Sequence, residues 1–256
     1  MKLADYLQAI AYDIAFWMTA FQNPDFPLGQ LGEVCIEVTG KLRAAAIIAL
    51  LTKADSDAFL HNLMRSARCR LQYLQRLSDA QRAGEHHQAS GRVDPFLDAL
   101  AAQDFATARQ IAALSPREWQ RGHEYEDDYC YAQILHGLIA PPGSGPGLGP
   151  FFARFESVLD GVPDARLDVT RALAARDQSA FEAAFEALIA RRTAQIEADL
   201  ARKRIEDPPV VAERQVYVEG IAMLRIAERL GLSTQLEYLY CPSIARVPMQ
   251  SAFPGV

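Results

Sequence analysis

The sequence predicts an all-α protein, and three observations support that class. Apolar residues recur every three or four positions along most of the chain, which is the spacing of an amphipathic helix. Alanine, leucine, arginine and glutamate are abundant, and all four are good helix formers. The 15 glycines and 14 prolines are concentrated at a few places, whereas a β-sandwich or barrel would need turn residues about every ten positions.

Each helix is predicted from its apolar stripe and from the residues that favour helix ends. The first carries apolar side chains from Leu3 to Phe21, and Asn23–Pro27 ends it because proline disfavours a helical residue before it. The segment Ala44–Leu51 is apolar on every side, so the second helix should run through the core. These signals predict helices at about residues 3–22, 31–54, 55–82, 94–103, 104–114, 122–140, 179–205 and 212–230.

Polar residues that cap helices precede several of these segments. Asp55, or the serine after it, can accept a backbone hydrogen bond at the start of the third helix, and Asp104 can do so for the fifth. Asp94-Pro95 is a strong helix start, because Asp94 is a capping acid and proline suits the first helical position. Ser115 and Glu118 have the spacing of a capping box, which predicts a further helix start there.

Two nearly identical segments predict helical hairpins. Residues 99–104 read A-L-A-A-Q-D and residues 172–177 read A-L-A-A-R-D, so each closes one helix and caps the next. Small alanines let paired helices approach closely, which favours stacked antiparallel helical hairpins in a repeat-like bundle. We expect a single domain over residues 1–256. Its halves, 1–140 and 151–256, are joined by the Gly/Pro-rich connector at residues 141–150.

A dense acidic and aromatic motif opens the helix predicted at residues 122–140. We predict these as the partner-binding residues: Glu124, Tyr125, Glu126, Asp127, Asp128 and Tyr129. A helix dipole stabilises acids in the first turn by up to about 1 kcal/mol each, but four carboxylates within five residues exceed that need. Tyrosines at a rim are good contact residues, so the motif favours a docking surface. Tyr125 and Tyr129 also continue the apolar stripe of this helix, which predicts that they face inward.

The composition narrows the class of protein and the partners it can have. A net charge of −6 argues against broad nucleic-acid binding, which needs a basic surface. No apolar run is long and uninterrupted enough to span a bilayer, and no signal peptide is visible. The four cysteines form no C-x-x-C pair, so free thiols in a reducing compartment are expected. We therefore predict a cytoplasmic protein with no membrane or nucleic-acid partner.

No motif of a catalytic site occurs in the sequence, so we predict a protein that is not an enzyme and needs no cofactor. A Gly-rich phosphate loop, an H-E-x-x-H pair and a G-x-S-x-G elbow are all missing. His86 and His87 cannot both face one ion from a helix, and no second ligand pair is suitably spaced, so no metal site is predicted. A helical-bundle enzyme is the competing interpretation, and metal in the purified protein would favour it.

Three segments make the chain similar to the immunity 49 family, all-α proteins encoded beside polymorphic toxins. They are residues 100–115 leading into E-Y-E-D-D-Y at residues 124–129, A-L-A-A-R-D-Q-S-A-F-E from Ala172, and V-E-G-I-A-M-L-R-I-A-E-R-L-G-L from Val218 followed by C-P-S. The resemblance spans about residues 60–250. It implies an immunity protein that binds a cognate secreted antibacterial toxin and neutralises it by occluding its active site.

The resemblance and the acidic motif together suggest what the toxin is. Carboxylates imitate phosphates, so an acidic helix end with tyrosines would fit the basic cleft of a nuclease that acts in the cytoplasm. Such a toxin would be delivered by a contact-dependent or type VI secretion system. Binding of a neutral toxin surface that is insensitive to salt would count against this hypothesis.

Alternative interpretations of the partner and of the motif stay open. The chain could be a helical-repeat adaptor or scaffold that binds a peptide or protein, which more than two convincing repeats would favour. The acidic motif could instead be structural and pair with arginines such as Arg65 or Arg70. The toxin interface would then lie in loops such as residues 84–93 and 141–150. The sequence also leaves a homodimer open.

Overall fold

The computed structural model describes residues 3–141, 143, 147–202 and 208–254 of the chain. All regular elements in those residues are helical, which confirms the predicted all-α class. In chain order they are α1 (Leu3–Gln22), α2 (Leu28–Lys53), α3 (Ser56–Asp79), α4 (Asp94–Ala101), α5 (Phe105–Leu114), α6 (Glu126–Ile139), α7 (Gly149–Leu159), α8 (Ala165–Ala175), α9 (Gln178–Ala201), α10 (Pro208–Glu213) and α11 (Val218–Leu230). Short 3-10 turns lie at His86–Gln88 and Ser243–Arg246.

Helix α2 runs through the core of the N-terminal part, as its apolar composition predicts. Every residue from Ala44 to Leu50 is buried, and α1, α3 and α10 all pack against this helix. Ala54 ends α2 in the left-handed conformation, with φ of 52°. The Asp55 side chain then accepts a hydrogen bond from the Ala58 N–H at 2.8 Å, which confirms the predicted cap of α3.

The two A-L-A-A segments form the same helical hairpin. Helix α4 packs on α5, and α8 packs on α9. In both turns the residue before the aspartate has a left-handed backbone, with φ of 60° at Gln103 and 54° at Arg176. The aspartate N–H then donates to the carbonyl five residues earlier. Asp104 donates to Ala99 at 2.8 Å, and Asp177 donates to Ala172 at 3.1 Å. Both aspartates also cap the following helix. Whether hairpins stack as a repeat stays a prediction.

One cluster of buried apolar residues extends from Ile10 in α1 to Ala245 in the C-terminal tail. Helix α11 contributes to it by packing against α4 and α8. All four cysteines are buried and free. None of the helices in the described ranges has both the length and the apolar character that a membrane span requires.

Four predictions about helix ends were wrong. Ser115 and Glu118 start no helix: Ser115 is the C-cap of α5, and its hydroxyl donates to the Ile111 carbonyl of that helix at 2.8 Å instead of capping a new one. Asp94 begins α4 but pairs with Arg43 instead of capping the helix. Helix α6 begins at Glu126 and not near residue 122, so Glu124 and Tyr125 precede it. The helix predicted at residues 212–230 begins at Val218, because residues 212 and 213 belong to the separate helix α10. Helices α7 and α10 were not predicted.

Two predicted segments lie partly outside the described residues. Within the connector predicted at residues 141–150, residues 142 and 144–146 are outside, and α7 already begins at Gly149. The helix predicted to end near residue 205 is described to Ala201, and residues 203–207 are outside.

Candidate partner-binding surface

The two tyrosines of the acidic motif differ in exposure, one being buried and the other facing solvent. Tyr129 is in the first turns of α6 and is 2% exposed, and its hydroxyl donates to the Arg117 carbonyl. Tyr125 immediately precedes the helix and is 78% exposed. The prediction that Tyr125 faces inward was therefore wrong. Its extended backbone, with ψ of 147°, does not follow the helical spacing that the prediction assumed.

Glu124 joins two surface segments, loop 84–93 and the turn at residues 120–125. One carboxylate oxygen accepts a hydrogen bond from the Gly91 N–H at 2.6 Å, and the other accepts from the Gln120 N–H at 3.1 Å. A Cβ atom on Gly91 would lie 2.9 Å from the Cβ of Asp128, so this approach requires glycine. Turn 120–125 is thus held against loop 84–93 by side-chain and backbone contacts.

The remaining three carboxylates of the motif form ion pairs with arginines from α7 and α8. Glu126 pairs with Arg154 of α7. Asp127 and Asp128 both pair with the Arg166 guanidinium of α8, each at 2.8 Å. We call Glu124–Tyr129 together with Arg154, Asp164 and Arg166 the acidic junction. Because its ion pairs link α6 to α7 and α8, the junction fastens the start of α6 to the C-terminal part of the chain.

Arg166 is the centre of the acidic junction. It also pairs with the buried Asp164 at 2.8 Å, and Asp164 forms a second ion pair with Arg191. Burial lowers the pKa of Arg166, but hydrogen bonds to Asp164 and Asp128 outweigh that effect and raise it above its usual value. For Asp164, burial raises the pKa and the Arg166 hydrogen bonds lower it, with a net decrease. Both groups are therefore charged at neutral pH.

Arg65 and Arg70 were the wrong partners for a structural acidic motif. Arg65 donates to Asn62 and lies near the Phe253 ring. Arg70 is buried, and its guanidinium donates to the backbone carbonyls of residues 87, 88 and 89. Arg70 consequently supports loop 84–93 from beneath through three backbone carbonyls.

A pocket of about 580 Å³ opens between loop 84–93 and turn 120–125. It is lined by Gly91, Arg92, Gly122, His123, Glu124, Tyr125 and Asp128. The ring of His86 lies edge-on to the rings of His87 and His123, with centroids 4.9 and 5.2 Å apart, and accepts a hydrogen bond from Arg92 at 2.8 Å. Across the described residues, no group of three or more histidine, cysteine or carboxylate side chains is arranged to hold a metal ion.

The comparison with protein families decides the class of this protein. The model of the family described as immunity protein 49 matches residues 35–245. The chain belongs to the immunity protein 49 family. The match confirms the resemblance seen in the sequence, and it includes both the acidic junction and loop 84–93 but not α1. No curated protein and no solved structure matches the chain.

The sequence of this immunity protein does not identify Arg154, Asp164 and Arg166 as members of the acidic junction. A surplus of acids at the start of α6 indicates that cations should lie nearby. The chain has 26 lysines and arginines, however, and Arg166 is 38 residues from Asp128. Neither spacing nor composition distinguishes it from the other cations. The same holds for Gly91, whose role depends on the approach of Asp128 across the fold.

Proposed function

We propose that this immunity protein acts by binding and not by catalysis, and that Tyr125 is the central contact with its cognate toxin. One observation carries the proposal: Tyr125 is 78% exposed, yet it lies on a turn held by the two hydrogen bonds of Glu124. An aromatic side chain on a preorganised backbone binds a partner with a small loss of conformational entropy. The pocket beside it can receive a side chain of the toxin.

The charges around Tyr125 suit a basic partner surface. Asp127, Asp128 and Asp164 share two guanidinium groups, those of Arg166 and Arg191, so the junction keeps negative charge. Asp127 and Asp128 are partly exposed. A toxin with a basic substrate cleft, such as a cytoplasm-acting nuclease delivered by contact-dependent or type VI secretion, fits this charge. Binding over that cleft would occlude the active site.

The geometry changes the roles that we assign to the predicted contact residues. Tyr125 and Asp128 border the pocket and contact the toxin, while Tyr129 is buried and positions the helix start. Glu124, Glu126 and Asp127 hold the turn and the helix end in place through their hydrogen bonds and ion pairs. Loop 84–93 borders the same pocket, so the acidic motif and one of the two loops predicted as an interface contribute to one surface.

Co-expression with the toxin encoded beside this gene tests the proposal, followed by calorimetric titration of the purified pair. The wild-type protein should restore growth and form a stable complex. Tyr125→Asp should weaken toxin binding by about 30-fold or more, the size expected for a central contact residue. The matched control is Tyr12→Asp, because Tyr12 is 75% exposed but lies in α1, outside the matched family segment. Equal affinities for both variants would contradict the assignment of Tyr125.

A further inference from the structure

Two leucines are solvent-exposed on an ordered loop at residues 235–241, which we call the leucine loop. Leu236 is 77% exposed and Leu239 is 59% exposed. Large apolar side chains in water are unfavourable, and a single exposed one needs no explanation. Two on one loop, beside a groove, indicate a contact surface if the loop itself is held in place.

Arg246 holds the backbone of the leucine loop. Its guanidinium donates to the carbonyls of Gln235 at 2.6 Å and Leu236 at 2.5 Å. Tyr240 has φ of 63°, an unusual conformation for a tyrosine, and its carbonyl accepts a hydrogen bond from the Tyr217 N–H at 2.8 Å. The exposure of the leucines is therefore a consequence of a defined loop conformation.

The residues between the two leucines make contacts within the protein. The Tyr238 ring packs edge-on against Phe185 of α9, with centroids 4.9 Å apart. The Glu237 carboxylate accepts hydrogen bonds from the backbone N–H and the hydroxyl of Ser243. The loop thus turns one aromatic side chain inward while its two leucines remain in solvent.

A groove of about 590 Å³ lies between the leucine loop and α9. The α9 side of the groove is a row of residues at helical spacing: Glu186, Ile189, Ala190, Thr193, Ala194 and Glu197. The row is about 16 Å long, given a rise of about 1.5 Å per residue. The residues in its middle are small or apolar, so the groove can accept a helix that packs closely against α9.

The charge at the ends of the groove is negative. Glu186 and Glu197 are exposed at either end, and neither forms an ion pair with a residue in the described ranges. The nearby arginines of α9 are engaged elsewhere: Arg191 pairs with Asp164, and Arg192 donates to the Glu213 carbonyl at 2.9 Å. A partner segment with a basic residue near each end of an apolar face would complement this groove.

We propose that the leucine loop and the groove on α9 form a second docking surface for the toxin, one that receives a basic amphipathic helix. This inference rests on the proposed function, that the protein binds a toxin, but it needs none of the residues around Tyr125. Leu236 and Leu239 pack against the apolar face of the toxin helix, and Glu186 and Glu197 pair with its lysines or arginines. A toxin engaged at two surfaces is held more tightly than either surface alone would allow.

The test measures affinity for the cognate toxin with the wild type and three variants of the protein. Leu236→Glu/Leu239→Glu adds two charges to the proposed contact. The control, Val158→Glu/Val162→Glu, adds two charges at exposed apolar residues near the end of α7. The leucine variant should bind about 30-fold more weakly or worse with an unchanged melting temperature, while the control binds as the wild type does. The charge variant Glu186→Lys/Glu197→Lys should slow association and flatten its salt dependence.

Each alternative outcome is distinct. A wild-type complex that tolerates the leucine variant within threefold would overturn the second surface and leave the proposed function standing. No complex with the wild type would overturn both. A wild-type dimer that the leucine variant converts to a monomer, with toxin affinity unchanged, would assign the surface to a second copy of this chain and overturn the toxin helix.

Discussion

The acidic junction and the leucine loop are each organised by an arginine, Arg166 and Arg246 respectively, but the two arginines bind different groups. At the junction, Arg166 binds carboxylate side chains, so Asp127 and Asp128 are paired within the fold although the junction as a whole keeps negative charge. In the leucine loop, Arg246 binds backbone carbonyls, so the side chains of Leu236 and Leu239 remain free to contact a partner. Dense charge in a sequence can therefore serve structural pairing as well as contact with a partner. Unremarkable leucines can mark a contact surface.

The largest effect is expected at the junction. Arg166→Ala should lower the free energy of unfolding by about 3 kcal/mol, because it leaves the buried Asp164 with one ion-pair partner fewer and Asp127 and Asp128 without theirs. Urea denaturation measures this. The control is Arg171→Ala, whose ion pair with Glu156 is exposed and should contribute less than about 1 kcal/mol. A loss for Arg166→Ala as small as the one expected for the control would mean that the junction does not stabilise the fold.

The arginine of the leucine loop should have a smaller and more local effect. Arg246→Ala removes hydrogen bonds to two loop carbonyls and an ion pair to Glu228, which should cost about 2 kcal/mol. Limited proteolysis should then cut within residues 233–241, because the loop loses its support. Arg229→Ala, which removes an exposed arginine of α11, is the control. An uncut loop in the Arg246 variant would show that other contacts hold the leucines in position.

A pH dependence should come from α6 itself, outside the leucine loop and away from the ion pairs of the junction. Burial, and secondarily the charge of Arg70, lower the pKa of His136 at the C-terminal end of α6 to about 3. Its folded-state pKa is below its unfolded value of 6.5, so the folded protein favours the neutral imidazole. The contribution of neutral His136 to the free energy of unfolding is therefore complete above pH 6.5 and is lost as the pH falls toward 3. Between pH 6.5 and 4.5 the free energy of unfolding should fall by about 1 kcal/mol per pH unit.

His136→Leu should remove this pH dependence, and unfolding curves at a series of pH values will measure it. Leu236→Glu/Leu239→Glu should keep the wild-type profile, because it leaves His136 and its contact with Phe96 unchanged. An equally steep profile in the His136 variant would assign the acid sensitivity to other groups.

Helix positions and hairpin turns could be predicted because their signals are local. The aspartates at positions 104 and 177 each cap the helix that follows them directly, and each turn completes its hydrogen bonds within six residues. The same local logic failed at Ser115, where the hydroxyl binds the Ile111 carbonyl of the preceding helix instead of capping a new one. It also failed at Tyr125, where the helix start differs from the predicted one by a few residues.

The candidate surfaces could be predicted only in part. The acidic motif stands out in the sequence, but its ion-pair partners come from helices 28 and 38 residues away. Leu236 and Leu239 carry no signal at all, since nothing distinguishes them from leucines of the core. The exposure of a residue depends on which helices pack beside it, and local patterns in the sequence do not reveal that packing.

The sequence by itself determined the all-α class, the family, the hairpin turns and most helix ends, because each follows from residues within a few positions of one another. The tertiary structure alone decided that Asp127 and Asp128 pair with Arg166, that Tyr125 faces solvent while Tyr129 is buried, and that the leucine loop keeps its apolar side chains outside. Long-range packing chooses among arrangements that are locally equivalent, and burial then fixes which charges are paired and which surfaces remain for a partner.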